Sequence, residues 1–215
     1  MYRPAAFVED DLSRLHTLMQ AYPLGLLLAP SDEGPDVHPM PWALLPTDDG
    51  QGLLQGHVAR GNPVWKRLTA GQEVSVVFQG PAGYISPNWY PSKAEHGRHV
   101  PTWNYTLVQA YGPWQVRDTP EAAREVVERL TTHHEATQAQ PWQLDDAPPD
   151  FIEALLRAIV CVEIPVRRWQ GKWKLSQNRS AGDVAGVLAG LEATGTPRAQ
   201  ELARWMQGHS PFKNS

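Results

Sequence analysis

At 215 residues the chain suits one well-buried domain with appended helices, and 41% hydrophobic against 20% charged residues excludes the disordered and fibrous classes. A net charge of −4 argues against a uniformly basic nucleic-acid binder, and the single cysteine, Cys161, excludes an internal disulfide and a cysteine-rich zinc centre. Met1-Tyr2-Arg3-Pro4 lacks the basic-then-apolar layout of a signal peptide, and no apolar run reaches membrane-spanning length, so the expectation is a cytoplasmic protein without a membrane partner.

Asp10 or Asp11 caps a predicted helix in which Leu12, Leu15, Leu18 and Met19 share one face, ending near Tyr22-Pro23. Strand-like runs follow. Leu24 to Ala29 is apolar, Val37 to Leu45 is extended and Pro-interrupted, and Gly52 to Val58 comes after the turn at Thr47-Asp48-Asp49-Gly50. Asn62-Pro63 opens a short helix. Glu73 to Phe78 and Gly83 to Ser86 then read as two strands joined through Gln79-Gly80-Pro81-Ala82. Pro87 to Pro101 is a polar excursion, and a long strand from Trp103 to Val116 bends or ends a pairing at Gly112-Pro113. Thr119-Pro120-Glu121 starts a helix with Ala123, Val126, Val127 and Leu130 on its apolar side. Phe151 to Leu156 is a further short helix, and Ile159 to Val166 is the final core strand, carrying Cys161 as an inert core thiol. Two helices, about Asp183 to Leu191 and Thr196 to Met206, close the chain.

Short antiparallel runs with helices inserted and appended fit a closed barrel decorated by helices. A doubly wound parallel sheet needs a regular strand–helix alternation that is missing here. The expected division is a barrel domain over residues 1–180 and a C-terminal helical extension over 181–215 packed on it.

Four segments combine features of a ligand site. Gly56 to Trp65 runs from a strand into a helix start with Arg60 at the junction, a layout that suits an anion; it equally serves as a capped turn with Arg60 in solvent. Tyr84-Ile85-Ser86-Pro87-Asn88-Trp89-Tyr90 brings polar donors and rings together, as a flat aromatic ligand requires, or forms a rigid aromatic loop. In Thr102-Trp103-Asn104-Tyr105 a period of two puts hydroxyl and amide on one face and rings on the other. Between Glu163 and Arg179, Arg167, Arg168, Lys172, Lys174 and Arg179 stand against one acid, a local balance of +4 that points to an anionic partner or a solvated strand face.

Taken together, Met1 to Phe7, Gly56 to Pro63, Tyr84 to Tyr90, Pro101 to Tyr105 and Lys174-Leu175-Ser176-Gln177-Asn178-Arg179 resemble the FMN-binding negative transcriptional regulators of PaiB type, over nearly the whole chain and in the same order. Gly61 stands where alanine is expected, and His38-Pro39-Met40-Pro41 matches more loosely. The resemblance implies a mainly β, antiparallel, FMN-binding split β-barrel of bacterial origin. It also implies a homodimer with flavin at the subunit interface and a role in repressing genes, including those for extracellular proteases and sporulation. On that footing Arg60 and Lys174 are expected on the FMN phosphate, with His57 beside it and backbone amides near Gly61 and Asn62 assisting. Thr102, Asn104 and Gln177 are expected on the ring or ribityl chain, and Trp103 or Trp89 over the ring. FMN supplies its own redox chemistry, so no catalytic acid or base is demanded. The alternative function is a flavin-dependent oxidoreductase, with His57 the side chain for any proton transfer; a lesser one is haem binding through His96, His99, His133 or His134. DNA is the weaker partner expectation, because Arg198 and Arg204 face Glu192 and Glu201 in the last two helices; Arg167, Arg168 and Lys172 are the first place to look for it.

Overall fold

The computed structural model describes residues 1–209. In chain order it contains β1 (Val8–Glu9), α1 (Leu12–Ala21), β2 (Leu24–Ala29), β3 (Asp36–Pro41), β4 (Ala43–Leu45), β5 (Leu53–Ala59), α2 (Val64–Arg67), β6 (Glu73–Ile85) and α3 (Lys93–His96). These are followed by β7 (Thr102–Pro113), β8 (Gln115–Arg117), α4 (Pro120–Glu135), α5 (Pro149–Arg157), β9 (Ile159–Pro165), β10 (Arg168–Lys174), α6 (Ala181–Thr194) and α7 (Pro197–Gly208). No helix among the described residues is long and apolar enough to cross a membrane. The chain divides into two compact units. The first comprises Met1–Asp11, Gln79–Val108 and the chain from Gln170 onward, and the second comprises Leu12–Phe78 and Gln109–Trp169. Helices α6 and α7, expected as a helical extension over 181–215 packed on the barrel, fall in the first unit; residues 210–215 of that extension lie outside the described residues.

Within the second unit, an antiparallel sheet runs in the order β4-β5-β9-β8, with His57 opposite Cys161 and Gln55 opposite Glu163. Helix α4 covers one face of it. Thr119 caps that helix by accepting from the Ala122 N–H, and the 3.6-residue period then buries Ala122, Val126 and Leu130 with Cys161. Under the same helix lies a buried polar group. Gln55 Nε2 and Arg117 Nη1 both donate to Glu163 Oε1, at 2.9 and 3.0 Å, and Arg129 Nε donates to Gln55 Oε1 at 3.1 Å, so the buried carboxylate and amide are satisfied. Strands β2 and β3 form a hairpin in which Leu24 opposes Pro41, Leu26 opposes Pro39 and Leu28 opposes Val37. Because opposed residues point to the same face, these six apolar side chains share one side; Leu24 is 65% exposed and Val37 53%.

Within the first unit, β1 pairs with β10 and the strand order is β1-β10-β7-β6. Helices α6 and α7 pack together and bury Val184, Val187 and Leu191 of the one and Leu202, Ala203 and Met206 of the other, joined at Gly195, whose φ of +68° makes the left-handed turn.

Two expectations are corrected. The strands expected over Glu73 to Phe78 and Gly83 to Ser86 are one strand, β6. Strand β2 pairs with β6 at Ser75–Val77, short of Pro81, and a strand edge past the end of its ladder is where a proline is tolerated. Ile159 to Val166 is not the last strand, since β10 follows it; Trp169 and Trp173 alternate inward against Arg168, Lys172 and Lys174, a period of two hidden by the run of charge.

Candidate functional site

The ten expected site residues fall into both units. His57, Arg60, Gly61 and Asn62 lie in the second; Trp89, Thr102, Trp103, Asn104, Lys174 and Gln177 lie in the first.

In the second unit the expected anion site at the end of β5 has other occupants. The Arg60 guanidinium forks onto Asp118, with Nη1 donating to Oδ2 at 3.0 Å and Nη2 to Oδ1 at 2.6 Å. Its Nε donates to the Arg157 carbonyl and Nη2 also to that of Ile159. Asn62 is equally engaged: Oδ1 accepts from the Val64 N–H at 3.0 Å, and Nδ2 lies 3.3 Å from His38 Nδ1. Helix α2 is a single turn, so it contributes little dipole to an anion. A Cβ at Gly61 would meet nothing within 4 Å, so the alanine expected there fits. His57 is half-buried on β5, and burial lowers its pKa; its Nδ1 is buried without a hydrogen-bond partner among the described residues. Across the sheet, burial first and Glu163 second push the Cys161 thiol up to about 12, which keeps it unreactive.

The first unit gathers the stronger constellation. Strand β7 alternates as expected: Asn104 is buried, while Trp103 is 57% exposed and meets Tyr84 edge-on at 6.3 Å. Lys174, at the end of β10, donates to Thr102 Oγ1 at 2.7 Å and to the Trp103 carbonyl. Burial first, then Arg179 and Lys172, lowers the Lys174 pKa. Neither Lys174 nor Arg179 has a carboxylate partner among the described residues. The segment after Lys174 turns sharply at Ser176, the sole non-glycine residue with positive φ among the described residues, at +67°. Gln177 holds this turn, its Oε1 accepting from the Leu175 N–H at 2.7 Å and its Nε2 donating to the Trp173 carbonyl at 2.6 Å. Its amide therefore shapes the loop. Asn104 Nδ2 donates to Ser176 Oγ at 2.9 Å, tying β7 to the loop. Trp89 packs on α6: a Cβ at Gly190 would come within 2.3 Å of its indole.

Between these elements lies a cavity of about 70 Å³ lined by Thr102, Asn104 and Lys174 and also by Phe7, Tyr90, Ser176, Asn178 and Arg179. Of the last five, Arg179 was named from the sequence only as part of the basic run, and Phe7, Tyr90, Ser176 and Asn178 were not named as site residues, although all lie inside the segments that carried the resemblance. A local excess of positive charge ending at Arg179 was the available signal.

A family model described as "Putative FMN-binding domain" matches residues 1–168. The Bacillus subtilis protein "Protease synthase and sporulation protein PAI 2" is 32% identical over 207 residues, covering 96% of this chain and 97% of its own. An uncharacterized protein of Emericella nidulans is 33% identical, covering 100% and 99%. Among solved structures, a flavocytochrome from Azotobacter vinelandii superposes with a TM-score of 0.56 at 12% identity, covering 80% of this chain and 72% of that one. The FAD and haem binding protein from Mycobacterium smegmatis gives 0.54 at 16%, covering 78% and 73%. The fold is a split β-barrel, mainly antiparallel β with added helices.

Proposed function

From a chain that belongs to the FMN-binding domain family and is PaiB-like along its whole length, we propose a cytoplasmic, bacterial FMN-binding protein that works as a homodimer. The observation that carries the flavin is in the first unit, where Lys174 and Arg179, without a carboxylate partner among the described residues, line a cavity with the Tyr90 ring, and the next residue of β7 after Thr102 exposes the Trp103 ring with Tyr84 edge-on to it. A flat ring system with an anionic tail matches that pairing of aromatic surface and cation. Lys174 and Thr102 are proposed on the flavin's polar tail and Trp103 against its ring. Arg60, Gly61, Asn62 and His57 are proposed as a second set of contacts, with Arg60 having to yield its fork on Asp118 to take part. When bound, FMN supplies hydride and electron transfer itself, and these side chains bind and orient it.

The homodimer is supported by the apolar side of the β2–β3 hairpin, where Leu24, Leu26 and Val37 are exposed together with Pro39. Titration of the purified protein with FMN, followed by flavin fluorescence, tests the reading. Saturable, stoichiometric quenching is expected, weakened about 2–10-fold in Trp103→Ala. No quenching in excess FMN overturns it. NADH and NADPH consumption by the FMN-loaded protein then separates an oxidoreductase from a regulator that uses flavin as a ligand.

A further inference from the structure

We infer that the turn Lys174–Arg179, closed by Tyr90 and Asn104, is a preformed site for one phosphate-sized oxyanion. Three observations converge on it. The first is the walls. Tyr90 is 3% exposed, Asn104 1% and Ser176 4%, so the pocket is built from polar side chains that folding has already taken out of water. The Tyr90 hydroxyl is buried with no hydrogen-bond partner among the described residues, a lone donor that an acceptor in the pocket relieves. The Ser176 hydroxyl oxygen accepts from Asn104 Nδ2, which leaves its proton for a ligand.

The second observation is charge. The lining holds Lys174 and Arg179 and no acidic side chain. Lys174 keeps a donor after its bonds to Thr102 and the Trp103 carbonyl, and the Arg179 guanidinium lies 5.1 Å from the Tyr90 ring centre, with no carboxylate to hold it. Tyr90 is in turn fixed by stacking on His99 at 4.6 Å. The third observation is the backbone. Serine is held at a left-handed φ, and Gln177 braces the turn from both amide ends, so strain is retained where the hydroxyl enters the cavity. A water needs roughly 10–15 Å³ of such space, so 70 Å³ suits a group of about five heavy atoms. The occupant is therefore an oxyanion group: either the terminal phosphate of the proposed FMN, in which case the inference rests on that reading, or a free or substrate-borne oxyanion.

Isothermal titration of the flavin-free protein with inorganic phosphate tests this, with riboflavin and FMN in parallel arms. Saturable phosphate binding is expected, weakened about 10–100-fold in Arg179→Gln by loss of a charge-assisted bond. Ser176→Gly is the companion variant: glycine accepts the positive φ, so the fold is kept while the hydroxyl is lost. Phosphate that competes with FMN but not with riboflavin assigns the pocket to the flavin tail, and phosphate that binds alongside FMN assigns it to a second, anionic ligand. Absence of phosphate binding, or binding untouched by both variants, overturns the site. Phosphate binding without any FMN binding leaves the site standing and removes the flavin reading alone.

Discussion

At the scale of single residues, the glycines of α6 show how local preference and packing oppose each other. In a helix interior alanine is better than glycine by about 1 kcal/mol, so propensity alone favours Gly190→Ala. A Cβ at Gly190, however, would sit 2.3–2.5 Å from three atoms of the Trp89 indole. Overpacking of that kind costs about 1–3 kcal/mol, and it acts on a large, rigid ring. Gly190→Ala is therefore expected to lower the urea midpoint, whereas Gly61→Ala, with nothing within 4 Å of its Cβ, is expected to leave it within about 0.5 kcal/mol. Equal shifts in the two variants would show that the Trp89 contact is not what fixes Gly190. The buried imidazoles give a second test. Burial is the leading cause of the lowered pKa of both His57 and His16. The folded state thus binds fewer protons than the unfolded chain, whose histidines titrate near about 6.5. Their contribution is complete above that value and is lost as pH falls through the lower folded values. Stability measured from pH 8 down to 5 should fall, and His57→Gln should flatten the slope; an unchanged slope removes His57 as a source.

At the scale of elements, legibility followed how many constraints each segment carried. Helix α1 was readable because Leu15, Leu18 and Met19 keep a helical period and are all buried. The Trp103 and Asn104 alternation was readable for the same reason at a period of two. Strand β6 misled at Gly80-Pro81, because nothing in the sequence tells which edge of a strand has a neighbour. The site was legible as segments and less so as side chains. Asn104 and Gln177 were named for the ring or ribityl chain, and their amides also hold the protein's own turn; a sequence does not say whether a donor faces a backbone or a ligand. The fork of Arg60 on Asp118 was not legible for the same reason, since Asp118 is 58 residues away and is brought to it by the sheet. Helix α4 supplies the test at this scale. Its Thr119 cap satisfies an N–H that would otherwise be orphaned, so Thr119→Ala should cost about 1 kcal/mol in urea unfolding. Since α4 covers Cys161, loss of the cap should also speed its labelling by a thiol reagent, and unchanged labelling would mean that the helix end frays without uncovering the sheet.

At the scale of the whole molecule, the question is why a chain of net charge −4 should expose an apolar strand face. The hairpin register leaves no choice: with Leu27 and Ala29 fully buried, the opposite face of β2 must carry Leu24, Leu26 and Leu28, and β3 adds Val37, Pro39 and Pro41 to it. Polar residues on that face would have satisfied the fold equally well, so its apolar character asks for a partner surface. With a second copy as that partner, the purified protein should sediment at twice its 24.0 kDa chain mass. Val37→Arg replaces an exposed side chain at no cost to the monomer's core and should return the mass to that of a single chain. Flavin then reports what the interface does. A flavin held between subunits is lost from Val37→Arg in step with dissociation, whereas Arg179→Gln weakens flavin and leaves the dimer intact. A monomeric wild type, or a Val37→Arg dimer, removes the apolar hairpin as the interface; a monomeric Val37→Arg that still binds FMN fully places the flavin within one chain.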